Sequence, residues 1–248
     1  MLDISEITKK FDGLTVLNRF NLSVPRNGFT ALVGPSGCGK STFFDVLTGV
    51  VPKDSGTIYW LGKNLPSLGR KAAYMQQKDL LLPWFSLMNN ALLPVKISNQ
   101  INKASREKAQ ELFGRLGLDG FENYTPQQVS GGMRQRCALV RTLMFEHELV
   151  LLDEPLSALD AITRRSLQSL LVLLQSEFKK TILMITHDVE EALVLADEVL
   201  VLTNPPMRIR ERFSLRGNKP RQRSDPELIR IREHILDELQ SELTDEVY

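Results

Sequence analysis

Nine consecutive residues restrict what this chain can become more than any others. Gly34-Pro35-Ser36-Gly37-Cys38-Gly39-Lys40-Ser41-Thr42 satisfies the pattern G-x-x-x-x-G-K-[ST]. It stands between an apolar run, Phe29–Val33, and a segment that puts Phe43, Phe44 and Leu47 on one helical face. Glycines let such a loop curl until its backbone N–H groups converge on phosphate oxygens. The start of the following helix adds partial positive charge at the same point. Residues 34–42 are therefore expected to bind a nucleotide, with Lys40 reaching the β- and γ-phosphates and Ser41 ligating Mg²⁺.

A second element suits the same chemistry. Leu149-Val150-Leu151-Leu152-Asp153-Glu154 is an apolar strand that ends in two acids. Alone, such a pair more often caps the next helix. Downstream of a phosphate loop it suits a cation and a reacting group. Asp153 is expected to bind Mg²⁺ directly or through water, and Glu154 to polarise the attacking water as general base.

The chain around these motifs alternates in character. Short β-rich segments, Leu2–Thr8, Val16–Val24 and Phe29–Val33, are separated by the turn signals Asp12-Gly13 and Asn27-Gly28. The helix after the phosphate loop stops at Gly49, and a strand-like stretch follows at Gly56–Leu61. From about 82 to 148 the pattern turns helical: Ala109, Leu112, Phe113 and Leu116 share a face within Asn102–Leu116, and another helix begins near Gly131. Alternation then resumes with Leu149–Leu152, a helix near Thr163–Phe178, Ile182–Ile185, a helix near Val189–Ala196, and Val199–Leu202. Alternating strands and helices predict an α/β fold with a parallel sheet covered on both faces and a helical insertion at about 82–148.

Val129-Ser130-Gly131-Gly132-Met133-Arg134-Gln135-Arg136 narrows the class. Ser130 and two glycines opening a helix make a second anion site, with a hydroxyl and exposed amides. The segment resembles the signature motif of ATP-binding-cassette (ABC) ATPases, with Val129 for the usual Leu and Met133 for the usual Gln. That resemblance covers about residues 2–203. It implies a P-loop (RecA-like) nucleotide-binding core, an N-terminal antiparallel β subdomain and an inserted helical signature subdomain. It also implies ATP hydrolysis with Mg²⁺, each ATP sandwiched between the phosphate loop of one subunit and Ser130, Gly131, Gly132 and Gln135 of the other. Further landmarks carry over with it. Ser157 and Asp160 resemble the D-loop at the dimer interface, and His187 the switch histidine on the γ-phosphate. Gln77 resembles the glutamine that senses γ-phosphate and Mg²⁺, although Gln76 stands where a Phe is usual. Phe11 resembles the adenine-stacking aromatic, with Val16 beside it.

Leu81-Leu82-Pro83-Trp84 and the tail Lys219–Glu227 resemble the nitrate/sulfonate/taurine-type importer ATPases. The implied partners are a second copy or a homologous ATPase subunit, an integral-membrane permease and, indirectly, a substrate-binding protein. An exporter or lipid-transport cassette is the alternative. DNA-repair ATPases of this class insert long coiled coils, whereas Lys40 and Ser130 are 90 residues apart without sustained heptads.

Composition agrees with these readings. The net charge of +1 over 248 residues is not that of a nucleic-acid binder. Cys38 and Cys137 form no metal-ligand pair and read as reduced thiols. The sequence shows no signal-like start and no apolar run near the roughly 20 residues a bilayer requires. The expected place is the cytoplasmic face of the inner membrane, peripheral to a partner. Residues 1–203 read as the cassette and 204–248 as a tail. In that tail, seven basic residues against one acid (208–223) precede eight acids against two arginines (224–248). Leu228, Ile231, Ile235, Leu239 and Leu243 form an apolar stripe on an expected helix, which needs a surface to cover it.

Overall fold

The structure of the protein, a computed structural model, describes residues 1–157 and 159–245, with side-chain surroundings through Ser241. Its framework is a six-stranded sheet: β3 (Phe29–Val33), β6 (Ala72–Met75), β7 (Leu149–Asp153), β8 (Thr181–Thr186), β9 (Glu198–Leu202) and β10 (Ile209–Ser214). Their order is β10-β9-β3-β8-β7-β6, all pairings being parallel except β10 on β9. Apolar side chains on both faces explain the near-continuous hydrophobic strands. In β3, Phe29, Ala31 and Val33 enter one core cluster and Leu32 the other, as the two-residue period of a strand demands.

The second cluster joins that sheet to an antiparallel one. β1 (Leu2–Phe11), β2 (Leu14–Val24), β4 (Ser55–Trp60) and β5 (Lys63–Leu65) pair in the order β2-β1-β4-β5. Helix α1 (Lys40–Thr48) lies in the same cluster, with Phe43 edge-on to Phe20 of β2 at 4.9 Å between centroids. Gly49 ends α1 in the left-handed conformation, as its position suggested. This confirms the α/β class and the antiparallel β subdomain.

The helical insertion leaves and rejoins the core between two neighbouring strands. β6 and β7 pair in parallel, Ala72 opposite Leu149, and the regular structure between them is helical. These are α2 (Leu87–Ala91), α3 (Leu93–Ile97), α4 (Lys103–Arg115) and α5 (Gly131–Leu143). Asn102 starts α4 with a reciprocal cap, taking the Ser105 amide at 2.9 Å while Ser105 Oγ takes the Asn102 amide at 3.0 Å.

Beyond β7 come α6 (Ala161–Ser176), α7 (Val189–Leu195) and α8 (Pro226–Asp245). The basic run after Thr203 is not all loop. Its first half is β10, which covers the outer edge of β9 and alternates half-buried with exposed residues. On α8, Leu228 and Ile235 are buried and Ile231 and Leu239 partly buried against the main core, so this chain's own cassette covers the stripe. Leu243 lies outside the described side chains.

Arg221 fastens the tail. Its buried guanidinium donates to the carbonyls of Leu193 (3.0 Å) and Ala196 (2.7 Å) at the end of α7, and to those of Leu215 (3.0 Å) and Arg216 (3.0 Å). Cations there satisfy carbonyls that a helix leaves unpaired. Arg221→Ala strands several of them, and urea denaturation should show a loss of about 2–4 kcal/mol. A loss below about 0.5 kcal/mol would mean that the tail is not held through this residue.

Candidate functional site

The phosphate loop is shaped by a close approach from behind. Gly39, at the start of α1, has φ 108°, and a Cβ there would come within 2.5 Å of Val16 Cγ1. No other residue fits that backbone at that distance. Val16 is therefore buried as the loop's backing, beside Met207. The loop and the acidic turn enclose a cleft of about 210 Å³. Ser36, Gly37, Gly39, Lys40, Ser41 and Thr42 of the loop line it together with Gln77, Glu154 and Ile185. Lys40 Nζ donates to the carbonyls of Gly34 (2.8 Å) and Pro35 (2.7 Å) and lies 3.6 Å from the buried Cys38 Sγ. Phe11, at the end of β1, is exposed with the Lys9 ammonium 4.9 Å over its ring, and it does not line this cleft.

Asp153 ends β7, buried, and one of its oxygens, Oδ1, has no hydrogen-bond partner. Burial pushes its carboxyl up to about 6, with Glu154 and Asp45 adding to the rise while the Ser41 hydroxyl bond and Lys40 oppose it. An enclosed carboxylate oxygen beside a hydroxyl is a donor set suited to a hard divalent cation. Ser41 and Asp153 fit magnesium, and Gln77 lines the same cleft as Ser41.

Glu154 takes a left-handed backbone, φ 50°, uncommon for a residue with a side chain. Three elements hold it there. Its amide donates to Ile185 O at 2.9 Å, and its carbonyl accepts from Gln135 Nε2 (3.0 Å) and Ser157 Oγ (3.1 Å). The carboxylate is held as firmly: Gln77 Nε2 donates to Oε2 at 3.2 Å, and His187 Nδ1 lies 3.2 Å from Oε1. The structure thus brings Gln77 and His187, from separate stretches of sequence, onto the Glu154 carboxylate, with Gln77 and Glu154 lining the cleft.

The signature segment is elsewhere. Ser130 caps α5, accepting the Met133 amide at 3.3 Å, and Ser130 and Gly131 are exposed. Neither they nor Gly132 line their own chain's cleft. Gln135 departs from its expected place facing another subunit. It is buried one turn into α5, where its amide satisfies the Glu154 carbonyl of the same chain. Asp160 caps α6, accepting from the amides of Ile162 (3.1 Å) and Thr163 (3.0 Å) and from Thr163 Oγ1 (2.7 Å), and Ser157 is exposed.

Sequence reasoning passed over the residues that tie residues 79–82 to the insertion. Arg134 Nε meets Asp79 Oδ2 at 3.0 Å, and Arg141 donates to the carbonyls of Leu80 (2.8 Å) and Asp79 (2.7 Å). Buried Asn90 accepts from the Leu82 amide at 2.7 Å and donates to its carbonyl at 3.1 Å. The one signal available was that Arg134 and Arg141 repeat at helical spacing, seven residues apart on one side of α5.

Because burial lifts Asp153 from 3.8 to about 6, its ionised form is disfavoured in the fold. That cost is absent below pH 4 and complete above pH 6. Metal-free Asp153→Asn should therefore melt higher than the parent at pH 7.5, by an amount on the order of 1–3 kcal/mol, and alike at pH 4. A lower melting temperature at pH 7.5 would show that the carboxylate stabilises the fold.

Comparison with known proteins places this geometry. The ABC transporter family model matches residues 17–157. A taurine import ATP-binding protein from Escherichia coli is 38% identical over 245 residues, 95% of this chain and 96% of that protein. An ABC transporter ATP-binding protein of uncharacterised role from Methanocaldococcus jannaschii is 37% identical over 246 residues, 98% and 92% of the two chains. Among solved structures, a dimeric ATP-binding cassette in a post-hydrolysis state with ADP and phosphate superimposes with a TM-score of 0.79 at 26% identity. It covers 88% of this chain and 100% of its own. A dimeric bacterial ABC transporter cassette gives 0.80 at 26% identity and the same coverage. With the phosphate loop, acidic turn and capped signature helix in one framework, the chain belongs to the ABC transporter family, as one of its ATP-binding, ATP-hydrolysing proteins.

Proposed function

We propose that this ATPase powers the import of a small anion, a sulfonate or a related nutrient through a partner membrane permease. It does so from the cytoplasmic face of the inner membrane, with a substrate-binding protein delivering the cargo to the permease. No helix among the described residues is long and apolar enough to cross a bilayer, so translocation belongs to another chain. The taurine import relative and the Leu81–Trp84 segment support the cargo class. Trp84, 71% exposed, supports permease docking, since core packing does not account for it.

The observation that carries the reading is the Glu154 carboxylate, aimed into the phosphate cleft between Gln77 and His187. Lys40 and the amides of 34–42 hold the phosphates, and Phe11 and Val16 flank adenine. Ser41, Asp153 and Gln77 hold Mg²⁺, which neutralises charge on the phosphates when bound. Glu154 takes the proton of the attacking water, Gln77 orients that water, and His187 contacts the γ-phosphate while steadying Glu154. The exposure of Ser130 and Gly131, away from their own cleft, supports a sandwich in which each closes over ATP on a second subunit. Ser157 and Asp160 lie at that dimer interface. The chemistry is contained in 1–203; 204–248 form a tail that docks on the cassette and tunes its opening.

Two experiments test this. Glu154→Gln keeps the shape and removes the base, so turnover should fall about 10²-fold or more while ATP binding persists. Near-normal turnover would remove Glu154 from the role. Mixing inactive Lys40→Ala subunits with inactive Ser130→Glu subunits should restore hydrolysis, because one composite site in the mixed dimer is intact. An inactive mixture would argue that each chain works alone. For the cargo, stimulation of the copurified permease complex by small anions and sulfonates is the direct readout.

A further inference from the structure

Behind Asp153 lies a pair of polar groups that the chemistry above does not use. Asp45 is half-buried on α1, four residues after Ser41, so both stand on one face of the helix. Tyr74 of β6 donates its hydroxyl to Asp45 Oδ1 at 3.3 Å, and its ring sits edge-on against Phe44 at 5.7 Å. In the paired strands Tyr74 is opposite Leu151 and Met75 opposite Leu152, which sets the phenol next to the strand that Asp153 ends. Burial raises the Asp45 carboxyl, and the Tyr74 hydrogen bond opposes that rise. Burial, then Asp45 and Asp153, push the Tyr74 phenol up as well.

Beside that pair, Asp153 Oδ1 is enclosed without a partner. Among the described residues no three acids, histidines or cysteines are placed to ligate one ion together, so such side chains alone do not fill an ion's shell. Magnesium keeps several of its waters when it binds, and those waters need acceptors.

We propose that Asp45 is an outer-shell carboxylate of the magnesium site, oriented by Tyr74 and accepting a hydrogen bond from water on the ion that Ser41 and Asp153 hold. This rests on the assignment of Ser41 and Asp153 as metal ligands. Asp45 is then a positioning residue: it adds negative charge to the ion's surroundings and orients a water without touching phosphate. Tyr74 fixes its direction, since a carboxylate on a helix flank otherwise turns toward solvent.

Asp45→Asn preserves size and an acceptor for Tyr74 but removes the charge. Manganese binding to the protein–ADP complex, followed by loss of the free-ion EPR signal, should weaken about tenfold or more. Tyr74→Phe, which keeps the charge but frees it, should weaken binding less. The melting temperature without metal should not fall in Asp45→Asn, because the charge it removes was already disfavoured by burial. Asp153→Asn serves as the reference. If it binds manganese like the parent, the metal assignment itself fails. If it loses manganese while Asp45→Asn binds like the parent, the role of Asp45 alone is overturned. A metal-free melting temperature that falls in Asp45→Asn, with unchanged manganese affinity in the folded fraction, makes the pair purely structural and overturns the proposal too.

Discussion

Strand β7 must leave a dry core and, within two residues, present two carboxylates at different angles. Asp153 continues the strand and stays buried, whereas Glu154 turns into left-handed backbone and emerges at the cleft. Such a turn costs about 1–3 kcal/mol and persists only when its surroundings over-determine it. Here they do: β8 supplies the Ile185 carbonyl, α5 supplies Gln135, and Ser157 closes from the following loop. The helical insertion is thus tied into the acidic turn through a buried side chain, not merely packed beside the sheet. Gln135, which the motif alone assigned to a neighbouring subunit, instead secures the insertion to its own core.

The parallel sheet, its two covered faces and the inserted helices were legible because each rests on local pattern. Leu149–Leu152 and Ile182–Ile185 are apolar at every position and Phe29–Val33 at all but Thr30, as doubly covered strands are, and the glycines at 34, 37 and 39 mark a loop that must curl. What stayed hidden depended on distant partners. β10 reads as a basic run because its alternate residues stay in water; only the open edge of β9 makes it a strand. β6, four residues long, lacks the length that periodicity requires and is defined by its pairing with β7. The grouping of Gln77, Glu154 and His187 could be expected only from the family pattern. No spacing along the chain implies that three stretches meet at 3.2 Å.

The tail illustrates the same division. Its stripe of Leu228, Ile231, Ile235 and Leu239 implied a covering surface without saying which. The cover is α7 and its neighbours in the main core, and polar pairs flank the contact. Lys219 meets Asp197 at 2.6 Å, and His234 meets Glu211 at 2.8 Å across α8 and β10. Exposed pairs of the latter kind contribute little to stability but select one orientation among several that an apolar stripe would allow.

The segment from Gln77 to Trp84 links the ATP site to the surface. At one end Gln77 holds the Glu154 carboxylate; at the other Trp84 stands in solvent. Between them the chain has few ways to absorb movement. Asp79 is paired with Arg134, the carbonyls of Asp79 and Leu80 are held by Arg141, and both backbone groups of Leu82 are held by Asn90. Two of those side chains belong to α5, the helix that Ser130 caps. Under the proposed function, a displacement of Gln77 by γ-phosphate that reaches Asp79–Leu82 meets charge-assisted and buried hydrogen bonds there. On that reading the ties to Arg134 and Arg141 make joint movement of the segment and α5, carrying Trp84 and Ser130 together, the lower-cost response. Under the proposed function, this couples two events that have to coincide: closure of a signature segment over the neighbouring subunit's ATP and repositioning of the surface presented to the permease. The coupling is reciprocal, so a permease that favours one position of Trp84 must also bias how Gln77 meets Glu154.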